Sequence, residues 1–186
     1  MPITLPLLLT LMRVAVIPVV LALFFVDWPY ARQIATVLYT LAGFTDWLDG
    51  HLARRWNQTS KFGAFLDPVA DKLLVTVCLV MLLQDAPSGV LAVIAAIIIG
   101  REITISALRE WMAELGQRTS VAVSRIGKWK TGFQMTAIGM MIWQMPLLGI
   151  PIYDIGYALL FVAAALTLWS MVAYLRAAWP ILRDGG

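Results

Sequence analysis

The chain has 186 residues, of which 61% are hydrophobic and only 13% are charged, and its net charge at pH 7 is +3. Ordinary soluble domains have about 45–50% apolar and about 25% charged residues, so this composition excludes a typical soluble protein and indicates a lipid surrounding. In so apolar a chain, membrane topology and anionic lipid explain the basic excess, and we expect no nucleic-acid partner.

Six apolar segments follow one another along the chain, each close to the roughly 20 residues that a helix needs to cross the hydrocarbon core. They span residues 5–26, 32–50, 64–84, 89–114, 129–146 and 152–176. The breaks are short and no flexible linker divides the chain, so we expect one all-α membrane domain over residues 1–186. No basic segment precedes Arg13 and no small-residue cleavage site follows, so we expect no signal peptide. Cys78 is the single cysteine and excludes an internal disulfide.

The distribution of charge sets the expected orientation of the six segments. With both termini in the cytoplasm, Arg32 is the one basic residue outside, and the other 13 belong to the inner half. The outer turns carry Asp27, Asp85 and Asp154 instead. Because Lys and Arg are enriched on the cytoplasmic side of membrane proteins, we predict an N-in, C-in topology. Arg101 is assigned to the inner half only through its helix, and it can lie well within the membrane.

Two acidic residues near the end of the second segment share a helical face with small residues. Asp46, Asp49, Gly50 and Ala53 follow a spacing of i, i+3, i+4 and i+7, which places them on one stripe of a helix. The small residues leave the helix surface bare beside the carboxylates. Small residues also line packed helix pairs in membranes, but together with the acids and Arg54 they favour a pocket for a phosphate-bearing ligand.

A second acidic face follows at the start of the third segment, where Gly63, Asp67 and Asp71 have i, i+4, i+8 spacing. The two segments flank a short inner loop, so we expect antiparallel neighbours whose carboxylates lie at one depth. An acid at the centre of a membrane helix costs about 2.5–3.5 kcal/mol. Either several acids are protonated or divalent cations neutralise them. All-oxygen ligation is typical of Mg²⁺, Mn²⁺ or Ca²⁺.

The run from Asp46 to Asp71 has the form D-x2-D-G-x2-A-R-x8-G-x3-D-x3-D. This complete pattern resembles the signature of the CDP-alcohol phosphatidyltransferase family. The segments 101–116 and 121–128 extend the similarity over nearly the whole chain and resemble the branch of the family whose acceptor is glycerol 3-phosphate. Thr10 and Arg13 fit the usual opening of that branch, but Thr4 stands where Asn is usual. The nucleotide contact of that Asn is therefore not expected here.

The resemblance implies a six-helix enzyme of the bacterial inner membrane, usually a homodimer, with a cytoplasmic active site. It also implies two divalent ions, Mg²⁺ or Mn²⁺, which clamp the diphosphate of CDP-diacylglycerol. The metal ligands would be Asp46, Asp49, Asp67 and Asp71. Asp71 would also act as general base toward the acceptor hydroxyl, a role that competes with metal ligation. Contacts with the CDP-lipid would come from Thr10, Asp49, Gly50, Ala53, Arg54 and Gly63.

An acceptor such as glycerol 3-phosphate needs cationic partners for its phosphate. Arg109, Arg118 and Lys130 lie around the inner loop between the fourth and fifth segments. Arg109 is about a turn inside its helix, where an unpaired charge is costly, so we expect it to bind the phosphate most directly. Arg125 and Lys128 are expected to serve topology and lipid headgroup contact.

Three alternatives remain open at this level. The same chemistry can use another acceptor, such as inositol phosphate or serine. Prenyl diphosphate transferases also combine carboxylate motifs with magnesium on membrane helices, although Gly50, Ala53, Arg54 and Gly63 favour a nucleotide. An ion channel or transporter can use four acids as a cation site, and it would show metal flux without turnover of a CDP-lipid.

Overall fold

The computed structural model describes residues 5–56, 61–114 and 125–184, which form six helices. They are α1 (Leu5–Leu23), α2 (Ala31–Trp56), α3 (Lys61–Asp85), α4 (Gly89–Glu114), α5 (Arg125–Trp143) and α6 (Ile152–Asp184). Within them, side chains are not described at residues 5–7, 46–56, 61, 64, 109, 113–114, 125–130, 177–178 and 180–184. These ranges contain no strand; one isolated backbone bridge joins Leu147 and Ile150 in the turn after α5. The predicted all-α class is confirmed for this part of the chain.

The helices begin close to the predicted segments, but two of them continue further. α2 extends from the predicted end at residue 50 to Trp56, and α6 extends from residue 176 to Asp184. Hydropathy marks the apolar part of a helix, whereas backbone hydrogen bonding continues until a residue breaks it. The prediction for α5 was displaced: it covers Arg125–Trp143 instead of 129–146. Gln144 has a φ of 60°, which a right-handed helix cannot contain.

The inward face of α1 illustrates how the sequence selects the core. Its buried residues are Thr10, Arg13, Ile17 and Val20, and Phe24, directly after the helix, continues the same stripe. Their alternating spacings of three and four residues make one stripe along the helix. α1 packs through this stripe on α2 and α3. The apolar part joins the main core, whereas the polar part, Thr10 and Arg13, points to one end of the bundle.

α5 and α6 form a close pair that packs on the rest of the bundle through α2, α3 and α4. Gly156 on α6 permits the approach. A Cβ added there would lie 2.9 Å from the carbonyl oxygen of Ala137 and 2.9 Å from the Cβ of Met140. Small residues at such crossings let membrane helices approach closely enough for dispersion contacts along both backbones.

A polar cluster ties four chain segments together at the opposite end from Thr10 and Arg13. Arg32, at the start of α2, pairs with Asp85 at the end of α3, with 2.6 Å between nitrogen and oxygen. The guanidinium also lies 4.0 Å from the centre of the Phe24 ring. Gln144, just after α5, donates to Asp85 at 3.2 Å. The one basic residue that the topology prediction left outside therefore has a partner of opposite charge.

Among the described residues, two helices are long and apolar enough to cross a membrane by length and composition. They cover Gly89–Met112 in α4 and Ile152–Arg176 in α6, with mean hydropathies of 2.0 and 2.1. α1 contributes a shorter apolar stretch, Leu8–Leu23. α3 carries Asp67, Asp71 and other charges within its apolar sequence, which lowers its hydropathy. Large apolar side chains also cover the outside of the bundle, as expected of a protein that lies in lipid.

Candidate functional site

Two of the predicted metal ligands, Asp67 and Asp71, lie one turn apart near the start of α3. Residues four apart project from the same side of a helix, so the two carboxylates share a face as predicted. Both residues are half-buried, and the Asp67 side chain keeps 41% of its surface exposed. Gly63, one turn earlier, is buried. This face of α3 is therefore accessible from outside the protein at Asp67 and covered by neighbouring atoms at Gly63.

The polar part of α1 meets this face at Asp67. The hydroxyl of Thr10 donates to Asp67 Oδ1 at 2.5 Å. The guanidinium of Arg13 lies 3.9 Å from the same oxygen. Thr10 and Arg13 are each only 1% exposed. A buried cation is strongly destabilising without a compensating charge, so Asp67 both stabilises Arg13 and is held in place by it.

Arg13 is a site residue that the sequence analysis did not assign. The signal was present, because Arg13 follows Thr10 by three residues in an otherwise apolar helix. Two polar groups on one stripe of such a helix indicate a polar partner in the bundle. Thr10 was expected to contact the CDP-lipid, and that contact stays a prediction; the structure shows its hydroxyl on a carboxylate.

The α2 part of the predicted site lies on a continuous helix. Asp46, Asp49, Gly50, Ala53 and Arg54 all precede the end of α2 at Trp56. Their backbone is therefore helical, and the shared stripe expected from their spacing is present in the backbone. Their side chains lie outside the described ones. α2 packs against α1 and α3, so the two acidic stripes belong to helices in contact.

The predicted acceptor-binding residues are only partly covered by the structure. Arg109 lies on α4 and Lys130 on α5, and their side chains are outside the described set. Arg118 lies outside the described residues altogether. The grouping of these three cations around glycerol 3-phosphate therefore stays a prediction.

Arg101, whose depth the sequence left open, is 8% exposed on α4. Its guanidinium pairs with the neighbouring Glu102 at 2.8 Å and lies 5.9 Å from the ring centre of Tyr174 on α6. A carboxylate and an aromatic face both stabilise a buried guanidinium. Through these contacts Arg101 links α4 to α6, which explains how its charge is accommodated in a buried position.

The donor set at α3 fits a hard divalent cation. Within the described side chains, which do not include those of Asp46 and Asp49, no three acids, histidines or cysteines converge. Asp67 and Asp71 supply carboxylate oxygens on one exposed face, and neighbouring α2 carries the other two acids. Carboxylates are the ligands that Mg²⁺ and Mn²⁺ prefer. Such a face can bind cations and, through them, phosphate oxygens.

Comparison with known proteins gives matches over almost the whole chain. A family model described as CDP-alcohol phosphatidyltransferase matches residues 3–169. The CDP-diacylglycerol–glycerol-3-phosphate 3-phosphatidyltransferase of Salmonella choleraesuis strain SC-B67 is 51% identical over 184 residues, which is 99% of this chain and 100% of that protein. Proteins of the same name from Shigella flexneri and Escherichia coli strain K12 are 50% identical with the same coverage.

Proposed function

The chain belongs to the CDP-alcohol phosphatidyltransferase family, and we propose that it transfers the phosphatidyl group of CDP-diacylglycerol to glycerol 3-phosphate. The products are phosphatidylglycerophosphate and CMP. The observation that carries this proposal is full-length similarity, at 50–51% identity, to relatives named for the reaction. The complete acidic pattern between Asp46 and Asp71 and the contacts that hold Asp67 support the same chemistry.

Two divalent ions, Mg²⁺ or Mn²⁺, complete the proposed site. Their ligands are Asp46, Asp49, Asp67 and Asp71, two from each of two packed helices. When bound, the ions neutralise the diphosphate and the charge that develops on departing CMP. The chain's own contribution is to hold Asp67 by a buried hydroxyl and a buried guanidinium, so that a metal ligand has its orientation set before the substrates arrive.

Asp71 is the proposed general base. It accepts the proton of the acceptor hydroxyl as that oxygen forms its bond to the β-phosphorus of the donor. The bond between this phosphorus and the oxygen of CMP breaks, and CMP leaves with the electron pair. A carboxylate that also ligates a cation is a weaker base. Asp71 therefore serves as base, ligand or both, and the proton transfer depends on how tightly it holds the metal.

The donor lipid is proposed to lie against the small residues beside the acids. Gly50 and Ala53 on α2 allow a phosphate to approach the helix backbone, and the buried Gly63 on α3 is proposed to contact it from the open side at Asp67. Asp49 and Arg54 supply polar contacts to the CDP moiety, and Thr10 lies at the same end of the bundle. A site at this depth lets the acyl chains remain in the bilayer while the nucleotide reaches water.

The acceptor phosphate is proposed to bind Arg109, Arg118 and Lys130. An arginine binds phosphate through paired, charge-assisted hydrogen bonds, which is why cations rather than neutral donors are expected. Arg109 lies deepest along its helix and makes the main contact. This assignment distinguishes glycerol 3-phosphate and inositol phosphate from serine, which has no phosphate for the cluster to bind.

We further propose six membrane spans with both termini inside, in a bacterial inner membrane, and a homodimeric assembly. The Arg32–Asp85 pair supports the orientation, because it neutralises the one basic residue assigned to the outer side. The other 13 basic residues then lie in the cytoplasmic half. The acidic stripes and the cations for the acceptor fall in the same half, where both soluble compounds, glycerol 3-phosphate and CMP, are found.

The activity is tested with purified protein, CDP-diacylglycerol and radiolabelled glycerol 3-phosphate in detergent–lipid micelles. We expect label to enter the organic phase with one CMP released for each labelled lipid, and Asp71→Asn to abolish both. Inositol phosphate and serine are offered in parallel at equal concentration. Label that stays in water, or preferential use of another acceptor, contradicts the proposed reaction.

A further inference from the structure

An open groove of about 620 Å³ runs between α2 and α5, along the side of the bundle. Its α2 wall extends from Thr36 to Phe44, and its α5 wall from Met135 to Trp143. Eight residues of α2 correspond to about 12 Å of groove length at the rise of an α-helix. The groove is therefore long and narrow, and it follows the helix axes rather than crossing them.

The wall of the groove is apolar even where its residues are polar by type. Thr36 and Thr40 donate their hydroxyls to backbone carbonyls one turn earlier, at 2.9 and 2.8 Å. The Tyr39 hydroxyl donates to the sulfur of Met135 at 3.1 Å. These three side chains have their hydrogen bonds inside the protein, so they present methyl groups and ring carbon to the groove. Such a surface fits hydrocarbon. Trp143, at the end of the groove away from the acids, also lines it, and its Nε1 is buried without a hydrogen-bond partner among the described residues.

One end of the groove leads to the proposed active site. Tyr39 lines the groove, and Asp46 follows seven residues later, two turns along the same face of α2. An occupant whose polar end is at the acids can thus extend its apolar end along α2 without crossing a helix.

We propose that this groove is the binding site for one acyl chain of the donor lipid, CDP-diacylglycerol. The inference rests on the proposed function, which places the diphosphate of that lipid at the acids of α2 and α3. At roughly 30 Å³ for each methylene, a group of about the size of a water molecule, a palmitoyl chain occupies about 480 Å³. By volume the groove can accommodate such a chain, and along its length of about 12 Å it contacts the part of the chain nearer the headgroup.

Shape and tethering, rather than the hydrophobic effect, give this site its selectivity. A chain in the bilayer is already in hydrocarbon, so moving it into an apolar groove gains little from leaving water. The gain comes from close contacts with the walls and from the fixed position of the diphosphate. We therefore expect the groove to discriminate by chain length, with the longest chains making the most wall contacts.

Gly139 on α5 offers the best substitution for closing the groove. A Cβ added there would lie 3.8 Å from the Tyr39 ring, which is ordinary van der Waals contact. Gly139→Leu therefore adds its outer carbons to the groove without forcing the helices apart. Gly43 is less suitable, because its added Cβ would lie 2.6 Å from the Met135 methyl. Gly139 lies beside Thr40 of α2. Thr40 precedes Asp46 by six residues, which corresponds to about 9 Å along the axis of α2.

A second apolar groove supplies a matched control. It lies between α4 and α6, has a volume of about 420 Å³, and is lined by residues that include Val93 and Ala165. None of the acids of α2 or α3 belongs to its wall. Ala165→Leu fills this groove with the same side chain that Gly139→Leu adds to the first, so it reports any general effect of added apolar volume.

The experiment measures the Michaelis constant for dipalmitoyl and dibutyryl CDP-diacylglycerol in mixed micelles, with glycerol 3-phosphate saturating. We expect Gly139→Leu to raise the constant for the dipalmitoyl donor about fivefold to thirtyfold, from the loss of on the order of ten wall contacts. The constant for the dibutyryl donor, whose short chains reach no further than the level of Gly139, should change much less. Ala165→Leu should change neither constant.

Two results overturn the proposal. Equal effects of Gly139→Leu on both donors mean that the groove serves helix packing or a contact with a second copy of the chain. No effect on either donor means that the groove holds a bystander lipid of the bilayer. Activity with the dibutyryl donor shows that the variant is folded. If the wild-type protein releases no CMP from either donor, the proposed function fails, which is distinct from failure of the groove assignment.

Discussion

Thr10→Val removes the hydrogen bond that holds a proposed metal ligand and keeps the size and branching of the side chain. The Thr10 hydroxyl donates to Asp67 Oδ1 at 2.5 Å, and the residue is 1% exposed. Valine has nearly the same shape and the same branching at Cβ, so the packing of α1 is kept. What is lost is one of the contacts that fix the direction of the Asp67 carboxylate.

The expected size of the effect follows from two independent considerations. A hydrogen bond to a charged group contributes about 1.5–3 kcal/mol, and 1.4 kcal/mol is about tenfold in an equilibrium constant. The Asp67 side chain is 41% exposed, so water replaces part of the lost contact and the lower end applies. Loss of a residue that orients a metal ligand typically weakens metal binding about tenfold to a hundredfold. Both considerations give an increase of about tenfold in the half-saturating Mg²⁺ concentration.

The assay is CMP release as a function of Mg²⁺ concentration at saturating substrates. We expect Thr10→Val to shift the curve to higher Mg²⁺ and to recover most of its rate when Mg²⁺ saturates, whereas Thr10→Ser stays close to wild type. Thr104→Val is the matched control, because the exposed Thr104 donates to the carbonyl of Gly100 on its own helix. An unchanged Mg²⁺ curve with a raised Michaelis constant for CDP-diacylglycerol would refute this reasoning and assign Thr10 to direct contact with the donor.

Two further predictions concern helix packing and the acceptor. Gly156→Ala should lower the melting temperature, because its Cβ would lie 2.9 Å from the Ala137 carbonyl oxygen. Gly89→Ala is the control and should not lower it, because no atom lies within 4 Å of its added Cβ. Equal melting temperatures of the two variants would show that the α5–α6 contact adapts. Arg109→Ala should raise the Michaelis constant for glycerol 3-phosphate about tenfold to a hundredfold and leave that for CDP-diacylglycerol unchanged. Full acceptor affinity in this variant would remove Arg109 from the phosphate site.

The fold was predictable to the level of six helices because hydropathy and breaks in the sequence mark where apolar helices begin and end. The start of α2 at Ala31 and both ends of α4 agree closely with the apolar segments. The continuation of α2 to Trp56 was missed, because the residues after the apolar part are polar. Polar residues occur equally in an exposed helix end and in a loop, so hydropathy does not locate the last helical residue. The displaced end of α5 depends on the backbone conformation of Gln144, which its amino-acid type does not specify.

The sequence could indicate candidate site residues where they are close along the chain, but not where they are close only in space. The four acids and the small residues follow helical spacing, so their stripes could be read directly, and the family resemblance that they indicated is confirmed by the comparisons. The contact of Arg13 with Asp67 joins residues from α1 and α3, and no local pattern specifies which helices pack together. The groove between α2 and α5 was missed for the same reason.

The stoichiometry of Mn²⁺ binding to the purified protein with CDP-diacylglycerol, and without acceptor, tests the shared metal site most directly. The account predicts two ions for each wild-type chain and fewer after Asp46→Asn or Asp67→Asn, since each substitution removes a ligand from one of the two stripes. Glu110→Gln, which removes an exposed acid from α4, should leave the number at two. An undiminished number of ions in both aspartate variants, or turnover in a protein that binds none, would contradict the account.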